Sequence, residues 1–144
     1  MYTSIFQSSQ VGKVLGLRVI VPSLEQLDQQ VEAGLPKDAL ATVARHVYGN
    51  SPEATALMQR VIPPATFHRR GDVLKPHESE RVERLARVIA TAEQVWDDVD
   101  AARMFLTTGH ALLGGKRPIE VALTELGARR VETLLWSLFH GVAA

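Results

Sequence analysis

The amino-acid sequence predicts an all-α fold with a helix-turn-helix-like N-terminal half. From residue 23 onwards the apolar residues recur at helical spacing, as Leu24, Leu27 and Val31 do, which favours amphipathic helices over strands. Capping residues and prolines precede these stretches and glycines follow them, as is common at helix ends. A chain of 144 residues is long enough to enclose one hydrophobic core.

The first 22 residues are predicted to form a variable N-terminal segment. Residues 1–14 are polar and lack periodicity, which predicts a flexible or partner-dependent start. The stretch "LGLRVIV" at residues 15–21 is β-branched and is followed by Pro22, so it is the one strand candidate. Because so short a strand cannot form a sheet alone, we expect it to pair with a copy of itself or to lie against the helices.

Four helices are predicted in residues 23–77. Ser23 and Gln26 are three residues apart and form a capping box for the first helix. Two adjacent prolines end the third helix and begin a short fourth one. The expected limits are Ser23 and Gly34, Pro36 and Gly49, Ser51 and Pro63, and Pro64 and Gly71.

A second helical region is predicted at residues 78–144, after a polar joint, "DVLKPHE", at residues 72–78. The longest helix follows the joint, a shorter one ends at Gly109, a helical turn begins at Pro118, and the last helix runs from about Thr124. The predicted apolar stripe of the longest helix is Val82, Leu85, Ile89, Ala92, Val95, Trp96 and Val99. The predicted stripe of the last helix is Val131, Leu134, Leu135, Leu138 and Phe139.

Two further expectations concern side chains on these helices. Glu80–Arg84 and Glu83–Arg87 have the i, i+4 spacing of ion pairs and are placed on the solvated side of the longest helix. Trp96 and Trp136 fall on the apolar stripes, so core packing is favoured over a role in binding a ligand.

The composition excludes several classes of function. Sixteen basic and sixteen acidic residues cancel, so no overall field directs the chain to nucleic acid or to a membrane. The chain has no cysteine, which excludes disulfides and thiolate chemistry. The N-terminus does not resemble a signal peptide, and no apolar run approaches the roughly 20 residues that span a bilayer. We therefore expect a cytoplasmic protein.

No catalytic or metal-binding set is recognised in the sequence. The five histidines lack metal-ligand spacing. Asp97, Asp98 and Asp100 lack the glycine and distal glutamate of a calcium loop, so a helix N-cap better explains one of them. Since no nucleophile, base and orienting residue can be grouped, the sequence predicts a protein that is not an enzyme and that uses no metal or cofactor.

The glycine pair in "GHALLGGKRP" raises the question of a phosphate-binding loop. Such a loop needs a lysine directly after the second spaced glycine, then a hydroxyl residue, all preceded by a strand. Here Gly115 follows Gly114, and Arg117 follows Lys116. We therefore predict a tight turn with positive φ at one of the glycines, which presents both cations outward to a partner.

The stretch "SPEATALMQRVIPPATFHRR" resembles the two helices and the tight turn of a helix-turn-helix reader. Thr66, His68, Arg69 and Arg70 are the predicted DNA-contacting residues, since hydroxyl and guanidinium groups bind phosphates and base edges. The alternative is a solvated basic helix end, where cations are favoured by the helix dipole.

The C-terminal part resembles the toxin-binding domain of the Xre/MbcA/ParS antitoxins, which are partners of RES-domain toxins. The motifs that carry the resemblance are "ESERVERLARV", "LLGGKRPIEVAL", "TELGARRVETLL" and a final "HG", within residues 78–142. Residues 35–71 resemble the Xre-like helix-turn-helix half of such antitoxins. Phe105–Leu106, Gly109–His110 and Ala65 depart from the family's usual residues, and Ala65 replaces an arginine of the reader helix.

The resemblance implies an antitoxin without catalysis of its own. RES toxins act on NAD, and the toxin-binding domain at residues 78–144 would cover the toxin's active-site cleft. The helix-turn-helix region at residues 23–77 would bind operator DNA and repress the operon. A homodimer or a hetero-oligomer with the toxin is expected. The alternative is a helix-turn-helix repressor whose C-terminal half only dimerises.

The predicted toxin-facing surface combines the glycine turn with the end of the last helix. A cleft that holds an anionic dinucleotide offers positive or donor groups, so carboxylates or carbonyls suit a plug. The stretch "HGVAA" offers small side chains and a carboxylate. The toxin-binding residues are expected to be Leu112, Gly114, Gly115, Lys116, Arg117, Arg129, His140, Gly141 and Val142.

Overall fold

The computed structural model describes residues 6–141, and helices joined by short loops make up this part of the chain. In these residues the one pairing of strand type is an isolated antiparallel bridge between Pro36 and Val73. The all-α prediction is confirmed. The helices are α1 (Ser8–Val14), α2 (Leu24–Ala33), α3 (Ala39–Tyr48), α4 (Pro52–Val61), α5 (Pro64–His68), α6 (Pro76–Trp96), α7 (Val99–Thr107), α8 (Pro118–Val121) and α9 (Glu125–Phe139), with a 3-10 turn at Ala111–Leu113.

Side-chain caps fix where several helices begin. The hydroxyl of Ser23 accepts a hydrogen bond from the N–H of Gln26 at 3.2 Å, and that of Ser51 accepts one from Ala54 at 3.3 Å. Asp98 caps α7 through its carboxylate, which confirms the N-cap interpretation of the aspartate group. These caps satisfy N–H groups that a helix leaves unpaired at its start.

The long helix α6 is the axis of the fold. It contacts α1, α2, α3 and α4 on the N-terminal side and α7 and α9 on the C-terminal side. Its buried apolar residues Val82, Leu85, Ile89 and Ala92 confirm most of the predicted stripe. The prediction was wrong for its end, because Asp97 adopts a left-handed conformation that stops the helix. Trp96 and Val99, on either side of that break, are partly exposed.

The Glu83–Arg87 pair does not lie on a solvated side as predicted, because α9 packs over this part of α6. The Nη1 atom of Arg87 lies 3.5 Å from a carboxylate oxygen of Glu83, and its Nε atom donates to Glu132 of α9 at 2.9 Å. Burial raises the pKa of Glu83, and the charge of Arg87 partly offsets this. The arginine thus joins two helices through two carboxylates.

The N-terminal segment differs from its prediction. Residues 8–14 form α1, and Val11 is buried in the core, so this part is no flexible start. The stretch at residues 15–21 forms no strand, because a turn at Gly16, with φ of +72°, follows α1 directly. Val21 is buried against the helices, which was the second expectation for this stretch. Val19 and Ile20 are exposed, so β propensity alone does not make a strand where no neighbouring strand is available.

The polar joint is held against the loop between α2 and α3. The N–H of Leu74 donates to the carbonyl of Leu35 at 2.9 Å. The N–H of Lys37 donates to the carbonyl of Asp72, also at 2.9 Å. Leu74 is buried, and α6 already begins at Pro76. The domain boundary between residues 77 and 78 stays a prediction.

Candidate functional site

The helix-turn-helix candidate consists of α4 and α5. Ser51 caps α4 and Pro52 occupies its first turn, as predicted. Ile62 is extended and buried, so the chain turns with one apolar anchor before α5 begins at Pro64. The short helix α5 has no buried residue and ends at His68, before the predicted Gly71. It therefore lies on the outside of the molecule, as a reader helix must.

Three of the four predicted DNA-contacting residues lie at or near this surface. His68 and Arg69 are exposed, and Thr66 is partly exposed. A guanidinium nitrogen of Arg69 donates to the hydroxyl of Thr66 at 3.4 Å. The sequence reasoning missed Lys37, whose ammonium lies 4.6 Å from the centre of the Phe67 ring. A cation–aromatic contact of this kind adds a positive group next to α5.

Arg70 requires a correction, because its side chain turns inward. Its Nε donates to Oε1 of Glu78 at 2.7 Å and its Nη2 donates to Oε2 at 2.6 Å. Glu78 is 1 % exposed, and the hydrogen bond from Arg70 lowers the pKa of this carboxyl to about 2. A two-bond pair of this geometry is strong and directional. The pair attaches the segment that follows α5 to the first turn of α6, and it directs the guanidinium away from solvent.

The glycine turn, residues 109–117, confirms the interpretation of the glycine pair. Gly114 and Gly115 have φ of +67° and +78°. The N–H groups of residues 112–116 all donate within the turn, to His110, Ala111 or Leu113. A phosphate-binding loop needs such groups free and aimed at the ligand. These five N–H groups are therefore not free for a phosphate, and Lys116 and Arg117 are exposed on the turn.

The first groove beside the glycine turn, which we call the apolar groove, has a volume of about 410 Å³. It lies between α7, the start of the glycine turn and the end of α9. Met104 is 71 % exposed, and the Phe105 ring lies 6.1 Å from that of His110. The lining residues include Trp96, Met104, Phe105, Gly109, His110 and Leu138.

The second groove, which we call the basic groove, has a volume of about 700 Å³ and runs along the outer face of α9. Its residues on α9 recur at intervals of three and four, so they share one helix face. The opposite face of α9 is buried. The lining residues include Leu112, Leu126, Arg129, Arg130, Thr133 and Ser137.

The end of α9 corrects the predicted buried stripe. Val131, Leu134 and Leu135 are buried as expected, but Leu138 and Phe139 are partly exposed. They extend beyond the part of α9 that is buried. Leu138 instead forms a wall of the apolar groove.

The residues directly after α9 stay close to its last turns. The His140 ring centre lies 4.4 Å from that of Trp136, and Gly141 has φ of +67°. Val142, also predicted to bind the toxin, lies outside the described residues. Of the other predicted toxin-facing residues, Leu112 and Arg129 meet in the basic groove, while the exposed Lys116 and Arg117 stand on the adjoining turn.

The sequence reasoning missed the exposed apolar side chains of the two grooves. Met104 was not singled out, and Trp96 and Leu138 were assigned to the core. One signal was available for Leu126, which falls outside the apolar stripe of α9 and is 73 % exposed. A leucine off the stripe of an amphipathic helix is a candidate contact residue.

Within the described residues there is neither a candidate metal-binding cluster nor a helix that could span a membrane. No group of three or more histidine, aspartate or glutamate side chains within residues 6–141 is placed to hold a metal ion. No helix in the same range is long and apolar enough to cross a membrane.

Two parts of the chain match domains of known families. One contains the helix-turn-helix candidate, and the other contains the glycine turn and the two grooves. Residues 26–87 match the antitoxin Xre-like helix-turn-helix domain, which includes α4 and α5. Residues 91–141 match the antitoxin Xre/MbcA/ParS C-terminal toxin-binding domain, which includes the glycine turn and both grooves. A search of curated proteins returned no match. The two matches together show that the chain belongs to the Xre/MbcA/ParS family of antitoxins.

Proposed function

We propose that this antitoxin neutralises a RES-type, NAD-consuming toxin in the cytoplasm by covering the toxin's active-site cleft. The observation that carries the proposal is the apolar groove within the matched toxin-binding domain. The large apolar side chains of Trp96, Met104 and Leu138 line this groove and are exposed together there. Contiguous apolar surface of this kind is typical of a site that another protein covers.

The chain that leaves α9 is proposed to reach the cleft itself. Only Phe139 separates residues 140–142 from Leu138, which forms a wall of the apolar groove. Backbone carbonyls and small side chains suit a cleft that holds an anionic dinucleotide, since such a cleft offers positive or donor groups. The Gly114–Gly115 turn is proposed to contact the rim of the cleft. A homodimer or a hetero-oligomer with the toxin remains our expectation.

The test is the level of NAD in cells that express the RES-domain product of the adjacent gene, with and without this protein. We expect NAD to fall with the toxin alone and to recover on co-expression, and we expect the two proteins to purify together. Unchanged NAD and no co-purification would overturn the proposal. The helix-turn-helix repressor whose C-terminal half only dimerises would then be the better account.

A matched pair of variants locates the contact. The double change Met104→Glu and Leu138→Glu places charges in the apolar groove, and it should abolish NAD recovery because a charge cannot be buried unpaired at an interface. Leu24→Glu is the control, since Leu24 is 62 % exposed and lies on α2. Loss of neutralisation by both variants would argue against a contact at the apolar groove.

We further propose that α4 and α5 bind the operator DNA of the antitoxin's own operon. The exposure of His68 and Arg69 at the end of α5, a helix with no buried residue, favours this second role. Arg69→Gln should weaken binding to the promoter DNA and lower the slope of its salt dependence by about one. Arg117→Gln, on the glycine turn, should leave DNA binding unchanged. Equal effects of the two variants would contradict the assignment.

Arg70 is unsuitable for this DNA-binding test. Its neutralisation would leave the buried carboxylate of Glu78 without its partner, so any loss of DNA binding would also reflect a loss of stability. A change at Arg69 alone keeps the two effects apart.

A further inference from the structure

The basic groove has a surplus of positive charge. Arg129 pairs with Glu125 at 3.1 Å. Arg130 forms no ion pair with any carboxylate of the described residues, and the same holds for Lys116 and Arg117 on the adjoining turn. This end of the molecule therefore has a local positive field although the whole chain is neutral.

Apolar side chains lie between these cations. Leu112, from the glycine turn, is 53 % exposed and Leu126, from the start of α9, is 73 % exposed. Both line the basic groove with Arg129 and Arg130. Exposed leucines beside guanidinium groups favour a protein partner over nucleic acid, because a phosphate backbone gives the leucines nothing apolar to contact.

The positive charge of the basic groove determines which part of a toxin can bind to it. A cleft that binds NAD must accommodate two phosphates and is expected to offer positive or donor groups. The basic groove would face such a cleft with like charge, which costs free energy. Contact between two copies of this groove has the same difficulty, because each copy would present Arg130 and its neighbours to the other.

We propose that the basic groove binds an acidic, amphipathic segment of the toxin that lies outside the NAD-binding cleft. Apolar side chains of that segment lie between Leu112 and Leu126, and its carboxylates pair with Arg129 and Arg130. This inference rests on the proposed function and adds a second contact to it. The apolar groove and the chain after α9 face the cleft, whereas the basic groove holds the toxin from the side.

The first test is the rate at which the full-length antitoxin associates with the purified toxin at low and at high salt. Arg130→Glu should slow association roughly tenfold at low salt and flatten its salt dependence, since the charged pairs act mainly through steering. Arg45→Glu is the control, because Arg45 is exposed on α3 and makes no side-chain pair in the described residues. Circular dichroism of both variants checks that the helices are retained.

The second test identifies the occupant. Since the chain has no cysteine, Thr133→Cys introduces a single thiol on the exposed wall of the basic groove. A photoreactive crosslinker on this thiol should attach to a toxin peptide rich in aspartate and glutamate. Attachment to a peptide of the NAD-binding cleft, or to a second antitoxin, would overturn the inference.

The two proposals fail in different ways. If the wild-type antitoxin forms no complex with the RES toxin, the proposed function fails. If the complex forms and NAD is protected, but Arg130→Glu changes neither the rate nor its salt dependence, only the acidic-segment inference fails. A loss of DNA binding by Arg130→Glu with unchanged toxin association would likewise reject it.

Discussion

The proposed DNA-binding surface and the proposed toxin-binding surface each contain two adjacent arginines, but the fold uses them differently. At the end of α5, Arg69 remains exposed while Arg70 pairs with the buried carboxylate of Glu78. On α9, Arg129 and Arg130 are both exposed. An exposed-looking arginine next to another arginine therefore has two roles that sequence alone does not separate. Whether a buried carboxylate lies within reach decides between them.

The buried and the exposed ion pair also contribute differently to the stability of the fold. A pair that encloses a buried carboxylate must be kept whole, because removing one partner leaves a desolvated charge or donor behind. An exposed pair competes with water and with the entropy of two long side chains, so it contributes little. Substitution should therefore lower the free energy of unfolding much more at the Arg70–Glu78 pair than at the Arg129–Glu125 pair.

The largest effect is expected for Glu78→Gln, which removes the charge and keeps the shape. We expect the free energy of unfolding to fall by about 2 kcal/mol. This is below the roughly 3–5 kcal/mol typical of breaking a fully buried pair, because Arg70 retains some access to water and its charge can be solvated. The side chain of Arg70 is 14 % exposed. Urea unfolding at neutral pH measures the change.

The pH dependence of stability supplies the control for this variant. The pKa of Glu78 is about 2 in the folded chain, below its ordinary value of 4.5. Between these values the unfolded chain binds a proton that the folded chain does not, so stability rises with pH across this window. The contribution is complete above about 4.5 and is lost as the pH falls towards 2. Glu78→Gln should remove this part of the slope, and an unchanged slope would show that other carboxyls cause it.

A smaller effect is expected at the glycine turn, where Gly109 and Gly115 form a matched pair. A Cβ on Gly109 would overlap the carbonyl oxygen of Gly115, whereas a Cβ on Gly115 meets open space and only its positive φ is unfavourable. Gly115→Ala should cost about 1 kcal/mol of unfolding free energy. Gly109→Ala should cost about 1.5 kcal/mol, because the backbone of the turn must move.

Thermal unfolding of the two glycine variants measures the difference. Toxin association should follow the same order, since the turn carries Lys116 and Arg117. Equal costs for the two substitutions would show that the turn adjusts freely.

Much of the fold was accessible from the sequence because local chemistry determines it. Ser23 and Ser51 begin helices as their capping chemistry predicts, and the apolar spacing through Leu85 and Ile89 identifies the buried face of α6. The strand expected at residues 15–21 failed for a non-local reason. Its β-branched residues have no neighbouring strand in the described chain to pair with, and only Val21 is buried, while Val19 and Ile20 are exposed.

The candidate surfaces were less predictable because they depend on tertiary contacts. The inward turn of Arg70 requires Glu78 to be buried by other helices, which no spacing along the chain reports. The exposure of Leu138 depends on how far the burial of α9 extends. The glycine turn was predictable, since glycine conformations are local, but the two grooves that flank it were not.

The smallest effect on stability is expected for Arg129→Gln, the exposed counterpart of the first substitution. Its Nε atom lies 3.1 Å from Glu125, four residues earlier on α9, and both side chains are more than half exposed. Removing such a pair should change the free energy of unfolding by about 0.3–0.5 kcal/mol. Toxin association should nevertheless weaken measurably, because the proposed acidic segment would desolvate this arginine. A large loss of stability would mean that Arg129 supports the fold as Arg70 does, and the contrast between the two sides would then disappear.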